Sequence, residues 1–539
     1  MSNNMTINSG PLFQHSLVSS PGTGAINPDA ASASSSNDAS RASGLYSSEA
    51  DQDQRVDQLS KAISNSTLNP SWDWSNLYVD ALVSILKFVT PTELAKINLV
   101  SRHYRQAVKH GHLLRVFLER DSTSKIQSWR PIKDKVKRLI DVACQAGPSL
   151  RSLSLAFSEH LMHEHIIKLR TACPNLQTLN LSNCPQLTQA AFEVVATFPY
   201  LTTLDVSYCP GITDSTIQNI LSQAKQLTTL IMGQAMRPLN FFTPIITDAA
   251  FSNLTVDSKL EILSISDCEG LTNACCEYLS RLTRLTALNF KYCQRISHLG
   301  LAKLPTTIRE LVLQGTTCYD DVFEVLPKFT CLVVLNLGQC FKNKGAIDHF
   351  NHLKKLVNLT TFNFLIYDSK DISMLPLLAG AHGLRILDLR GRIQLIDEDL
   401  IYAQNWTKLE KVCIHILRDT KTPFSGRGLA NFAKAPNLKF LDLELSDFSP
   451  TEGMKAISQI KALTNLHLSL ENTNRDKEIV RLQLDDFVPL TTLPHLQTFQ
   501  LIVRGGFKRS LGAINLWNEV SALFLETNKC KLQGKLNLH

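Results

Sequence analysis

The sequence predicts an α/β solenoid, with parallel strands on a concave face and helices on a convex one, preceded by a small all-α domain and a disordered tail. Three observations lead there. The chain has 539 residues, well past the roughly 250–300 that one hydrophobic core can serve, so it is either several domains or an elongated repeat. A leucine pattern recurs from residue 150 to residue 501. The first seventy residues, by contrast, are too poor in apolar side chains to bury a core.

Residues 1–70 are dominated by Ser, Asn, Ala, Asp and Gln, with ASASSSNDAS at 31–40 as the extreme. Ordering each backbone residue costs about 1–2 kcal/mol, and nothing in this stretch offsets it, so a disordered tail is expected. The tail has no charged segment followed by an apolar run, and no run of about 18 apolar residues occurs anywhere, which argues against Sec export and against a membrane span. Residues 72–120 read as a helical block. Leu82, Ile85, Leu86 and Val89 recur at helical spacing, Thr90-Pro91 ends that helix and opens the next, and Glu93 stands at a capping position. Leu94, Ile97, Leu99, Val100 and Tyr104 supply further apolar stripes. About forty residues are marginal as an independent domain, so the block is expected to lean on a partner or a neighbour. Residues 121–149 form a helical linker or cap, in which Lys133–Arg138 (KDKVKR) reads as the wet face of a helix.

From residue 150 the frame L-x-x-L-x-L returns fourteen times, beginning at residues 150, 176, 201, 227, 260, 285, 308, 332, 359, 384, 409, 438, 463 and 496. The mean period of about 26.6 residues lies in the 20–29 window of leucine-rich repeats, so a horseshoe solenoid is predicted over 150–510, with a cap or tail at 511–539. Two longer intervals, around 238–244 and 472–477, are insertions. Five units place cysteine eight residues after the first leucine: Cys184, Cys209, Cys268, Cys293 and Cys340. A small buried side chain there can pack or hydrogen-bond along the turn stack, and Thr213-Asp214 and Thr272-Asn273 are placed to cap the helix that follows. This pattern resembles the cysteine-containing class of leucine-rich repeats.

Because side chains alternate along a strand, residues two, four and six after the first leucine should face the concave side while the leucines point inward. Candidate partner-binding residues on that face, or just beyond it, are Asp205, Tyr208, Asn289, Lys291, Tyr292, Asn336, Asp388, Arg390, Asp442 and Glu444. Tyrosine and arginine without a packing duty are enriched in binding hot spots, which singles out Tyr208, Tyr292 and Arg390. At about 4.8 Å per strand, fourteen strands make an arc on the order of 65 Å, ample for a protein partner.

The block at 77–106 resembles the F-box. Leu77, Asp80, Leu82, Ile85, Phe88 and Val89 match its first part, and Glu93-Leu94, Leu99-Val100, Arg102 and Tyr104 its second; Tyr78 stands where the family has proline, and Leu86 where phenylalanine is usual. An F-box ahead of such repeats is similar to F-box/leucine-rich-repeat proteins, the substrate receptors of Skp-cullin-F-box ubiquitin ligases. That resemblance implies an adaptor-binding surface of Leu77, Tyr78, Leu82, Ile85, Leu86, Leu94, Val100 and Tyr104. It also implies cullin and RING partners reached through the Skp adaptor, a protein substrate on the concave face, and a location in the cytoplasm or nucleus. The alternative reading is a protein-binding scaffold or a secreted bacterial effector without ligase coupling, which would act in the host cytoplasm.

Other function classes find little support. The net charge of +7 is small for this length and not concentrated on one face, so nucleic acid is not an expected partner. Thirteen cysteines, an odd number without scaffold spacing, suit a reducing compartment. The sequence has no G-x-x-x-x-G-K-[ST], H-E-x-x-H or G-x-S-x-G motif, so no enzyme is predicted. Lys291, Arg390 and Lys411 are too scattered to hold a phosphate-rich cofactor, and none is expected. His160, His163 and His165 read as surface or packing residues, and Cys275-Cys276 as packing residues, so no metal is expected.

Overall fold

The computed structural model describes residues 133–234, 245–318, 321–338, 347–366, 373–391, 393–416, 424–446, 448–471, 482–504 and 518–524. The tail, the F-box-like block with all eight adaptor-binding candidates, Cys340 and both insertions lie outside the described residues.

Fourteen parallel strands form one open sheet in strict sequence order. They are β1 (Ser152–Ser154), β2 (Thr178–Asn180), β3 (Thr203–Asp205), β4 (Thr229–Gly233), β5 (Ile262–Ser266), β6 (Ala287–Asn289) and β7 (Glu310–Val312), followed by β8 (Val334–Gly338), β9 (Thr361–Ile366), β10 (Ile386–Gly391), β11 (Lys411–Ile416), β12 (Phe440–Ser446), β13 (Asn465–Glu471) and β14 (Thr498–Arg504). Each falls on one of the fourteen leucine frames, and the register never slips: the residue four places after the first leucine pairs with its counterpart from Ser154, Asn180 and Asp205 through to His467 and Gln500. A one-residue slip would turn every leucine to the wrong face, so the repeated spacing itself fixes the pairing.

The frame leucines build a single continuous core between the sheet and the helical layer. Leu153, Leu179, Leu204, Leu230, Leu263, Leu288, Leu311 and Leu335 are all buried, as are Leu387, Leu441 and Leu466 further along. Each repeat thus covers its neighbour's apolar edge, and the core extends by addition. The helix Lys133–Ala146 precedes the sheet and contributes Val136, Ile140 and Ala143 to this core, leaving Lys137 and Arg138 wet, as the KDKVKR reading requires.

Polar contacts on the helical side tie repeat to repeat. Thr213 accepts from the Thr216 amide, and Thr272 from that of Ala274, as capping threonines should. The residue after each threonine does something the local pattern could not show. Asp214 reaches into the next repeat and accepts from the amide and hydroxyl of Thr247 at 2.8 and 2.6 Å. Asp248 does the same for Thr272 at 2.8 and 2.7 Å and takes the Cys275 amide at 3.1 Å as well. Asn273 continues the chain to Ser297. These side chains join consecutive helix starts across repeats.

Candidate functional site

The face of the sheet away from the helices, together with the turns that leave its strands, carries the partner-binding candidates. It is built differently in its two halves.

In β2, β3 and β6 the four-offset residue ends the strand. Asn180 accepts from the Ser182 amide at 2.9 Å, Asp205 from the Ser207 amide at 3.0 Å and Asn289 from the Lys291 amide at 2.9 Å. A short polar side chain that captures the backbone two residues on competes with the ladder, and all three strands stop at three residues. The chain then turns through a left-handed residue at Phe157, Asn183, Tyr208, Asp267, Tyr292 and Gly315, with φ between 56° and 73°. The amide of each of these donates to a carbonyl of the following repeat, as Tyr208 does to Gly233 at 2.7 Å and Tyr292 to Gln314 at 2.6 Å. The cysteine comes next. Cys184, Cys209 and Cys293 donate their thiols back to carbonyls of the preceding repeat, Leu155, Leu181 and Ile265, at 3.2, 3.0 and 3.3 Å. Burial pushes the thiols of Cys184 and Cys293 up to about 12, far from a reactive thiolate. Cys275 and Cys276 are buried in the helical layer. The turn cysteines are structural donors, as their spacing suggests.

The three singled-out residues were chosen for lacking a packing duty, and each turns out to have one. Tyr208 donates from its hydroxyl to Asp267 at 3.3 Å, and burial, then the Asp267 charge, push that phenol up to about 12. The Tyr292 ring lies over Gly315, where even an added Cβ would meet it at 2.2 Å, and its hydroxyl accepts from Gln314 at 3.2 Å. Lys291 sits 5.2 Å above the same ring. Burial lowers the pKa of Lys291 against the pull of Asp267, and raises that of Asp267 against the Lys291 charge and the Tyr208 hydroxyl. Arg390 is pinned by a bidentate fork to Asp388, at 2.6 and 3.0 Å.

From β8 on every strand has five to seven residues, as only β4 and β5 do before it, and the six-offset residues remain in the ladder: Arg390 pairs with His415, His415 with Glu444, and Glu444 with Ser469. The four-offset side chains are thereby released from ending their strands. Asn336 is 2% exposed, and its amide oxygen has no hydrogen-bond partner among the described residues. Asp388 takes Arg390. Asp442 faces His415 Nε2 at 3.1 Å, and Glu444 lies 3.8 Å from His415 Nδ1. Burial would raise the Asp442 pKa, but the His415 hydrogen bond and charge, with His467 and Arg390, outweigh it and hold the group below the usual carboxylate range. The structure therefore brings Asp388, Arg390, Asp442 and Glu444 together on adjoining strands. It gathers Tyr208, Lys291 and Tyr292 into a second group near Asp267, with Asn289 joined to it through the Lys291 amide and Asp205 close enough to act on Tyr208, and leaves Asn336 apart from both.

Sequence reasoning passed over His415 and Ser469, six-offset positions that could have been found by extending that column to every repeat. Asp267 was legible as a neighbour of the six-offset Ser266, but nothing local signals its contact with Tyr208, 59 residues away. Among the described residues no group of His, Cys, Asp and Glu is arranged to hold a metal, and no helix is long and apolar enough to cross a membrane.

A leucine-rich-repeat family model matches residues 199–220, the third repeat. Among solved structures, an internalin from Listeria monocytogenes is 19% identical with a TM-score of 0.41, the match covering 70% of this chain and 95% of that one. The yeast Rad7 and Elc1 complex gives a match 17% identical with a TM-score of 0.38, covering 91% of this chain and 92% of that one. The fold is a leucine-rich-repeat solenoid, an architecture suited to binding protein partners.

Proposed function

We propose that this chain is the non-catalytic substrate-recognition subunit of a Skp-cullin-F-box ubiquitin ligase. The observation that carries the reading is order along the chain: an F-box-like pattern at 77–106 stands directly ahead of a continuous fourteen-strand face whose register never breaks. In this reading the helical block docks on the Skp adaptor through Leu77, Tyr78, Leu82, Ile85, Leu86, Leu94, Val100 and Tyr104, and the strand face holds a protein target. Ubiquitin transfer to that target then follows from proximity to a recruited conjugating enzyme, with no chemistry asked of this chain.

Co-precipitation of the full chain with the Skp adaptor tests it. Wild type recovers the adaptor, and a Leu82→Asp, Ile85→Asp double variant, which places two charges on the docking stripe, loses at least tenfold of that recovery, a cost of about 1.4 kcal/mol. Equal recovery by both chains, or none by either, leaves a protein-binding scaffold without ligase coupling as the reading.

A further inference from the structure

We infer that the outward face of β7–β9, the middle of the strand face, seats a segment of this chain itself, the uncharged apolar stretch at residues 7–18. A protein target reaching these strands then has to displace it. The displacement rests on the reading that the strand face binds protein; the docking rests neither on that reading nor on the adaptor interaction.

Burial marks the seat. All six outward positions of β8 and β9 are buried, namely Val334, Asn336, Gly338, Thr361, Asn363 and Leu365, and so is Val312 on β7. The helical layer does not bury them, because Leu335, Leu337, Phe362 and Phe364 take that side of the same strands. Neighbours in the sheet do not account for it either. On β12, which also has a strand on each side, Phe440, Asp442 and Glu444 at the same three offsets stay half-buried. Small side chains do not shield one another better than large ones, so the cover over β7–β9 has to come from elsewhere in the chain. Val312 and Ala287 form an apolar cluster separate from the main core, with Ile262 against it, which is a surface for an apolar occupant.

A second, independent observation concerns hydrogen bonding. The buried amide oxygen of Asn336, in the middle of the patch, has no partner among the described residues. An extended segment crossing the strands carries backbone N–H groups that need acceptors, and one of them would satisfy it.

Charge and reach choose the segment. No Asp, Glu, Lys or Arg occurs before Asp29, and within this uncharged stretch Leu12, Phe13, Leu17 and Val18 fall within seven residues, the densest large-apolar group of the first seventy. Among the outward positions of β7–β9 only Glu310 is charged, whereas β10–β12 carry Asp388, Arg390, Lys411, Asp442 and Glu444. An uncharged segment leaves no charge to desolvate on the uncharged strip. Fifty-eight residues separate Val18 from Leu77. As a flexible chain they reach about 40 Å, and seven strand steps from β1 to β8 make about 34 Å.

The test uses the full chain. With Phe13 replaced by p-benzoylphenylalanine, photo-crosslinks should map to β7–β9 of the same molecule, at a yield independent of protein concentration. Val312→Asp should lower that yield about tenfold, and Glu444→Gln should leave it unchanged. A Leu12→Asp, Phe13→Asp double variant, altered only outside the repeats, tests the seat even where Val312→Asp fails to fold. A fluorescent peptide of residues 7–18 should bind the double variant and bind wild type at least tenfold more weakly, because the tethered copy competes at high effective concentration. Adaptor recovery should be the same for the double variant and wild type. Crosslinks confined to other strands, a yield that rises with concentration as for a second copy, equal peptide affinity for the two chains, or no peptide binding to the double variant at millimolar concentration would each overturn the inference.

Discussion

The first seven repeats and the last seven share one register and one core, yet they spend their polar side chains differently. In β1–β7 the four-offset Asn and Asp residues cap their own strands, a left-handed residue turns the chain, and a cysteine thiol ties the turn to the repeat before. In β8–β14 every strand has at least five residues, a length that only β4 and β5 reach in the first half, no residue other than glycine takes a left-handed backbone among the described residues, and the four-offset Asp388 and Asp442 meet side chains instead. Cys413 shows the change within one residue type. It sits at the four-offset position rather than in a turn, buried with its thiol pushed up to about 12.

Three experiments would break or sharpen this contrast. The largest effect is expected from Asp248→Ala, which leaves the Thr272 and Cys275 amides and the Thr272 hydroxyl without their acceptor. A loss of about 2–3 kcal/mol is expected in denaturant unfolding. Faster hydrogen exchange should be confined to the repeats on either side, because contacts in a solenoid run only between neighbours.

A smaller effect separates the halves by pH. Burial raises the pKa of Asp205 against the Ser207 hydrogen bonds, whereas His415, His467 and Arg390 together lower that of Asp442. A raised folded-state pKa means that Asp205 costs stability as pH climbs from the usual carboxylate value through its own. A lowered one means that Asp442 adds stability above the usual value and loses it as pH falls through its own. Asp205→Asn, which keeps an acceptor for the Ser207 amide as Asn180 and Asn289 do in their repeats, should therefore raise the unfolding midpoint at pH 7 and lose that gain near pH 4. Asp442→Asn should lower the midpoint at pH 7. Midpoints that shift in the same direction at pH 7 would show that the two carboxylates do not differ as described.

The smallest effect is at Phe157, a bulky residue held at φ 60° while 47% exposed. Phe157→Asn relieves that backbone at little packing cost and should raise stability by about 0.5–1 kcal/mol in thermal unfolding. A matched change at a position in β8–β14 with ordinary backbone should give no gain.

Much of this architecture was legible in the leucine spacing. Fourteen frames became fourteen strands, and the cysteine column marked Cys184, Cys209 and Cys293, whose thiols bond the preceding repeat, because both depend on what sits at a fixed distance along the chain. The candidate site was legible only as a face. Tyr208 and Tyr292 looked unoccupied in the sequence, since nothing local to Tyr208 announces Asp267 and nothing local to Tyr292 announces Gly315 beneath its ring, whereas the Arg390 fork to Asp388, two residues back on the same face of the same strand, was within reach of the local pattern.

The sequence alone therefore determined the repeat, its register and the side of the sheet on which each residue stands, since a period of two within strands and about 27 between them leaves one arrangement that buries every leucine. Only the tertiary structure decided which polar groups on that side are already matched. That depends on side chains tens of residues apart meeting, across adjacent strands as His415 meets Asp442 or past an intervening strand as Tyr208 meets Asp267.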